Sequence, residues 1–179
     1  TGGLGMVTVL SATFFAAISG SAPATTATIG GIMIPEMEQR GWKRDFSAAL
    51  SAASGPIGQM IPPSIPMIIW GVVAEESINQ LFLSGIIPGL LIALGLMLVC
   101  WIVARRSPNI PRERRATRKE LGQSLWDGKW SLLAPVVILG GIYGSVFTPT
   151  EASAIAVFYA LIVGLFIHRE IKFAELPAI

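Results

Sequence analysis

Long apolar runs separated by short polar knots set the outline of this chain. Residues 1–35 carry no charged side chain, and the run is interrupted only by the small, hydroxylated patch AISGSAPATTATIGG, which contains Gly20 and Pro23. The knot EMEQRGWKRDF follows. A second run, 47–73, ends just after Trp70 and leads into AEESINQ. A plain apolar run covers 82–104, a strongly basic stretch covers 105–129, and two shorter runs, 130–147 and 152–167, flank the turn TPTEAS. These runs are too long for barrel strands and lack their two-residue alternation, so they predict helices.

The first run is too long for one plain crossing. As a single helix, 35 residues would extend about 50 Å at 1.5 Å per residue, against a hydrocarbon core of about 30 Å. Two half-length segments, 6–18 and 26–35, meeting at the Gly20/Pro23 patch predict a re-entrant hairpin over about 6–35. One tilted span with a small-residue packing face is the other reading of the same residues.

The run 47–73 contains GPIGQMIPPSIPMIIW, with Pro62, Pro63 and Pro66 at its middle. A proline has no N–H and displaces the carbonyl four residues back, which here means Gly58, Gln59 and Pro62. In hydrocarbon an unpaired carbonyl costs several kcal/mol, so broken backbone at that depth must face protein, water or an ion. The stretch predicts a discontinuous transmembrane helix, the kind of break at which transporters keep cation sites.

Composition agrees: 53% of the 179 residues are hydrophobic and 13% charged, whereas soluble domains carry about 25% charged residues. This is an integral membrane protein. Charge then supplies a topology. Arg40, Lys43 and Arg44 mark 36–46 as cytoplasmic, with Trp42 as an interfacial anchor. Eight of the 13 cations lie in 105–129, the main cytoplasmic connection, whose later half predicts an amphipathic helix along anionic headgroups. His168, Arg169 and Lys172 place 168–179 on the same side. AEESINQ and TPTEAS contain no cation and lie outside. Solvation beside a membrane explains the basic stretch better than nucleic acid does. The chain opens on Thr1 without a signal-peptide layout, which suggests a piece of a longer polypeptide.

No enzyme constellation is visible. Cys100 has no partner for a disulfide and no metal-ligand spacing, and His168 at a run's end reads as interfacial. Glu151, in the first turn of a helix, reads as a capping charge, with Pro149 stopping one helix and Thr150 capping the next. What remains is a pair of broken elements. Pro23 frees the carbonyl of Ser19, and Ser19, Ser21, Thr25, Thr26 and Thr28 bring hydroxyls. Hydroxyl and carbonyl oxygens are hard, neutral ligands suited to an alkali cation, while helix N-termini at the breaks suit an anion. A sodium-coupled anion transporter fits this pairing; a proline-kinked channel or a structural membrane subunit would use similar residues.

ISGSAPATTATIGGIMIPEM, SAASGPIGQMIPPSIPMIIWG and TPTEASAIAV, in that order, closely resemble the large permease subunit of tripartite ATP-independent periplasmic (TRAP) transporters, the DctM type. The resemblance runs over nearly the whole chain. It implies an all-α, elevator-type transporter of two inverted repeats in the bacterial inner membrane, each repeat with a re-entrant hairpin and a discontinuous helix. It further implies Na⁺-coupled import of organic acids such as C4-dicarboxylates or sialic acid. A periplasmic binding protein would deliver the substrate, and a small four-helix membrane subunit would complete the permease. Carried over by motif, a sodium site joins Ser19 to the backbone carbonyls of Gly58, Ile61 and Pro63. Substrate is expected at the hairpin tip, at Ser19, Gly20, Ser21, Thr25 and Thr26. Residues 1–73 would then belong to the transport domain, as hairpin, loop 36–46 and broken helix 47–73. Residues 74–104 would form a periplasmic loop and a span, and 130–167 two spans around the outer turn. The second repeat's hairpin and its double-proline break are missing from this pattern, so the expected second sodium site has no residues here.

Overall fold

The computed structural model describes residues 2–108, 110, 117–144 and 146–167. His168, the segment 168–179 and much of the basic connection, including Arg112, Arg114 and Arg115, lie outside them. The chain divides into two units, 1–115 and 116–179.

The first unit opens with a helical hairpin, α1 (Gly3–Ser19) and α2 (Ala22–Gln39). Gly20 makes the turn in the left-handed region, at φ 61°, where a side chain would be strained. Ser21 caps α2 by accepting from the Ala24 N–H at 3.5 Å. Pro23, in the first turn of α2, starts the helix there, since a first-turn N–H needs no helical partner. Both helices outrun the segments expected at 6–18 and 26–35. α2 continues through Pro35 into EMEQ because one lost backbone bond does not end a helix whose next turn is held by an Arg40–Glu36 pair at 2.7 Å. Gly41, at φ 81°, follows the end of α2. The polar loop thereby shrinks from 36–46 to 40–43. Trp42, expected as an interfacial anchor, is packed inside the protein: it is 4% exposed, stacked on Phe46 with ring centroids 5.4 Å apart, and set against Gly5, which Cys100 also approaches.

The broken span comprises α3 (Arg44–Ser54), the single turn α4 (Ile57–Met60) and α5 (Ile65–Val73). α6 (Ile78–Arg106) is the longest helix and the ruler for the unit. Its first turns lie beside the end of α5, where Ile78 and Leu81 meet Gly71. Its middle meets the break, with Gly85 against Met60 and Gly89 against Ile61. Its last turns meet the start of α1, with Cys100 and Ala104 against Gly2. The far end of α2 lies at this same level, because the Thr8 hydroxyl contacts Met37 Sδ at 3.3 Å and Trp42 reaches Gly5. Both ends of the hairpin therefore sit beside one end of α6, and its tip stops part-way along.

In the second unit, α7 (Arg118–Asp127) and α8 (Lys129–Tyr143) meet at a bend of 62°. Thr117 and Glu120 close a capping box at the start of α7. α9 (Pro149–Ile162) continues as one wider turn over Val163–Ile167. Its cap is Thr148 and not the expected Thr150: Thr148 Oγ1 accepts from the Glu151 N–H at 3.3 Å, and Glu151 Oε2 accepts from the Thr148 N–H at 2.7 Å. Pro149 takes the first helical position, which suits its fixed φ, so the cap moves one residue ahead of it. Glu151 is thus the capping charge. α8 and α9 are tied by the Tyr159 hydroxyl, which donates to the Trp130 carbonyl at 2.6 Å, and the Phe147 ring lies against Gly141.

Three segments among the described residues are long and apolar enough to cross a membrane: Arg44–Val73, Ile78–Arg106 and Pro149–Ile167. The bent pair α7–α8 makes a fourth if it is one span. α1, at 17 residues, is about 25 Å long, short of a ~30 Å hydrocarbon core. Leu83, Ile87, Leu91, Leu94 and Leu98 along α6 are all more than half exposed, as suits a helix solvated by lipid and not by water.

Candidate functional site

The hairpin tip is seated on the break of the second span, and glycines make the fit possible. A Cβ on Gly20 would stand 2.5 Å from the Pro63 carbonyl oxygen. A Cβ on Gly58 would stand 2.7 Å from Thr25 Oγ1 and 3.0 Å from the Ser21 carbonyl oxygen, and one on Gly55 would collide with Thr26 Oγ1. One backbone hydrogen bond crosses the contact, from the Ile65 N–H to the Gly20 carbonyl at 3.3 Å.

Inside the tip the hydroxyls converge. Ser19 Oγ lies 3.2 Å from Thr25 Oγ1 and accepts from the Ser21 N–H at 3.3 Å. The Thr25 hydroxyl donates to the Ser21 carbonyl at 2.8 Å. Thr25 is fully buried and its hydroxyl is occupied within the tip, whereas Ser19, Ser21 and Thr26 remain partly exposed and Gly20 offers only backbone.

Three carbonyls at the break lose their helical donors, each for a different reason. Gly58 would bond to residue 62, a proline without an N–H. Ile61 would bond to Ile65, whose N–H is turned to Gly20. Pro63 would bond to Met67, whose N–H is directed 3.4 Å to Ser64 Oγ. The missing N–H of a proline accounts only for the first of these. A free carbonyl is expected at Gln59 on the same ground, but the Ser64 hydroxyl donates to it at 2.7 Å. Ser64 therefore caps α5 and closes the broken turn at once, a role that its place one residue after a double proline hints at but does not fix.

Four helix ends meet here. α1 and α4 arrive with their C-termini, the negative ends of their dipoles, and α2 and α5 leave with their N-termini, the positive ends. Both departing helices begin Ser-x-Pro, at Ser21 and Ser64. Neutral oxygens clustered at helix C-termini suit a small hard cation, and N–H groups at helix N-termini suit an anion. The tip that carries Ser19 thus lies against the break that carries Gly58, Ile61 and Pro63, with Gly20 beside the Pro63 carbonyl and Thr25 beside Gly58, and hydroxyl and carbonyl oxygens are of the kind a sodium ion takes. Gly85 and Gly89, which admit Met60 and Ile61 to the face of α6, were not anticipated. Their four-residue spacing, a small-xxx-small signature of close helix approach, was the available signal.

The sequence model of the family described as "Tripartite ATP-independent periplasmic transporter, DctM component" matches residues 1–179. The chain is 49% identical over 171 residues to the isethionate TRAP transporter permease protein DctMQ of Oleidesulfovibrio alaskensis, covering 96% of this chain and 27% of that protein. It is 46% identical over 175 residues to the 2,3-diketo-L-gulonate TRAP transporter large permease protein YiaN of Escherichia coli, covering 98% and 41%. It is 43% identical over 178 residues to the C4-dicarboxylate TRAP transporter large permease protein DctM of Pseudomonas aeruginosa, covering 99% and 42%. The chain thus spans less than half the length of the curated relatives it matches.

Proposed function

Because the chain belongs to the DctM family of TRAP transporter permeases, we propose that it forms one half of a sodium-coupled site in a large permease that imports organic acids. It is a transport protein and not an enzyme. The observation that supports this reading is the seat of the hairpin tip on the proline break, which brings the segment holding Ser19 against the segment whose carbonyls at Gly58, Ile61 and Pro63 have lost their helical donors. Na⁺ would be held by Ser19 Oγ and the carbonyls of Gly58, Ile61 and Pro63, and when bound it would supply the positive charge that couples uptake to the ion gradient. The N–H groups at the starts of α2 and α5, with the hydroxyls of Ser21 and Thr26, would face the acidic group of the substrate. Thr25 would shape the tip from within.

The hairpin reads best as re-entrant, since its ends share one level of α6. The polar segments that carry the cations, 36–46, 105–129 and 168–179, would face the cytoplasm from the inner membrane. The transport domain of an elevator is the natural place for such a unit. Its remaining partners would be a second repeat, a small four-helix subunit and a periplasmic binding protein that delivers a C4-dicarboxylate, sialic acid or related anion. One Na⁺ crossing 100 mV supplies about 2.3 kcal/mol, so two or more could sustain a steep carboxylate gradient.

The test is uptake by proteoliposomes holding the complete permease that contains this sequence. Saturable uptake that needs both an inward sodium gradient and the binding protein is expected. A conductance that needs neither would make the protein a channel.

A further inference from the structure

The described cations at the end of the first unit, where α6 terminates, fall into two groups. Arg40 pairs with Glu36 at 2.7 Å, Arg44 reaches Glu38 at 3.6 Å, and the Arg105 guanidinium lies 4.0 Å from the centre of the Trp101 ring. Among the described residues nothing engages Lys43 or Arg106. Those two line the same cavity, of about 460 Å³, between the start of α3 and the end of α6. Trp42, Phe46, Val103, Pro108 and Ile110 form most of the remaining wall, with the polar Ser107 beside them.

A second deficit points into the same place. Lys43 precedes α3 in an extended conformation, and no side chain caps the first turn of this 11-residue helix. Asp45 stands in that turn without capping it and does not line the cavity. Uncapped N–H groups carry partial positive charge, so the opening combines two unengaged cations, a bare helix start and aromatic walls. Charge of that kind calls for a multi-oxygen anion, and the walls call for an apolar body attached to it. Val99, one turn before Val103, continues the α6 face as exposed apolar surface. The volume falls within the ~300–1,000 Å³ of small-ligand sites.

We propose that this cavity binds the phosphate headgroup of an anionic phospholipid, with Lys43, Arg106 and the first turn of α3 on the phosphate and the acyl chains running along α6. The lipid would pin the start of the broken span to the end of α6. The inference requires α6 to cross the bilayer and is independent of what is transported.

The test is native mass spectrometry of the purified complete permease, titrated with phosphatidylglycerol or phosphatidylcholine. Each cation beside an anionic headgroup is worth on the order of fivefold in binding, so K43Q/R106Q should weaken phosphatidylglycerol binding roughly thirtyfold. R40Q, at a cation already paired with Glu36 and outside the cavity lining, should weaken it far less. If the double variant does not fold, wild-type binding should still weaken as salt is raised and R106Q alone should weaken it several-fold. Equal binding of the two lipids, or wild-type affinity in K43Q/R106Q or R106Q, would overturn the proposal. So would full competition by glycerol phosphate, which would make this a site for soluble phosphates.

Discussion

Gly20 and Pro63 are in direct backbone contact: the left-handed turn of the hairpin lies so close to the Pro63 carbonyl that a single methyl on Gly20 would come within 2.5 Å of its oxygen. Neither partner is a flexible side chain, so neither can yield cheaply. Gly20→Ala should cost about 1–2 kcal/mol for the left-handed backbone alone and should lift the tip off the break. Uptake by the reconstituted permease is expected to be lost while membrane insertion and expression persist. Gly31→Ala is the matched control, because a Cβ there meets nothing within 4 Å; it should transport normally.

Ser64 joins two structures with one hydroxyl, donating to the Gln59 carbonyl and accepting from the first turn of α5. Ser64→Ala removes a cap worth about 1 kcal/mol and strands a carbonyl at a further ~1–3 kcal/mol. The thermal unfolding midpoint of the purified permease should fall by several degrees. Ser64→Thr, which keeps the hydroxyl, should recover most of the loss. An unchanged midpoint in Ser64→Ala would mean that the break is held by other contacts.

The division between what could be read and what could not follows the range of the interactions. Pro62, Pro63 and Pro66 announce the break because a missing N–H is a local fact. Gly20 beside Pro23 announces a turn for the same reason. Helix limits were less legible: Pro35 suggests a stop, yet the Glu36–Arg40 pair carries α2 onward, and Pro149 shifts the cap from Thr150 to Thr148. What no local pattern holds is the seat itself. That Gly58 faces Thr25, Gly55 faces Thr26 and the Ile65 N–H turns to Gly20 depends on the meeting of two segments far apart in the chain. Trp42, which looks like an interfacial anchor in a loop, is buried for the same reason.

Hairpin direction can be tested apart from transport. Gly2 is a poor place for a probe, since a Cβ there meets Ala104 at 3.0 Å, but Gly3 has open space and is exposed. In a Cys100→Ala background, Gly3→Cys and Gln39→Cys should both react with an impermeant thiol reagent from the same face of the membrane. Labelling from opposite faces would make the first element a full crossing.

At the other unit, the Thr148–Glu151 box fixes where α9 begins. Thr148→Ala should destabilise that helix start by about 1 kcal/mol. Amide hydrogen exchange over the first turn of α9 should rise while exchange in α1 to α5 stays as in the wild type. Thr150→Ala should do neither.

Whether the seat of the tip on the break holds sodium decides how this permease is driven. The most direct measurement is the sodium dependence of substrate uptake by the complete permease carrying Ser19→Ala, with the binding protein saturating. Losing one hydroxyl ligand, worth about 0.5–1.5 kcal/mol net, should raise the sodium concentration for half-maximal uptake by roughly two- to tenfold while leaving uptake at saturating sodium largely intact. A sodium dependence identical to that of the wild type would contradict the assignment of Ser19 and, with it, the reading of the tip and break as a cation site.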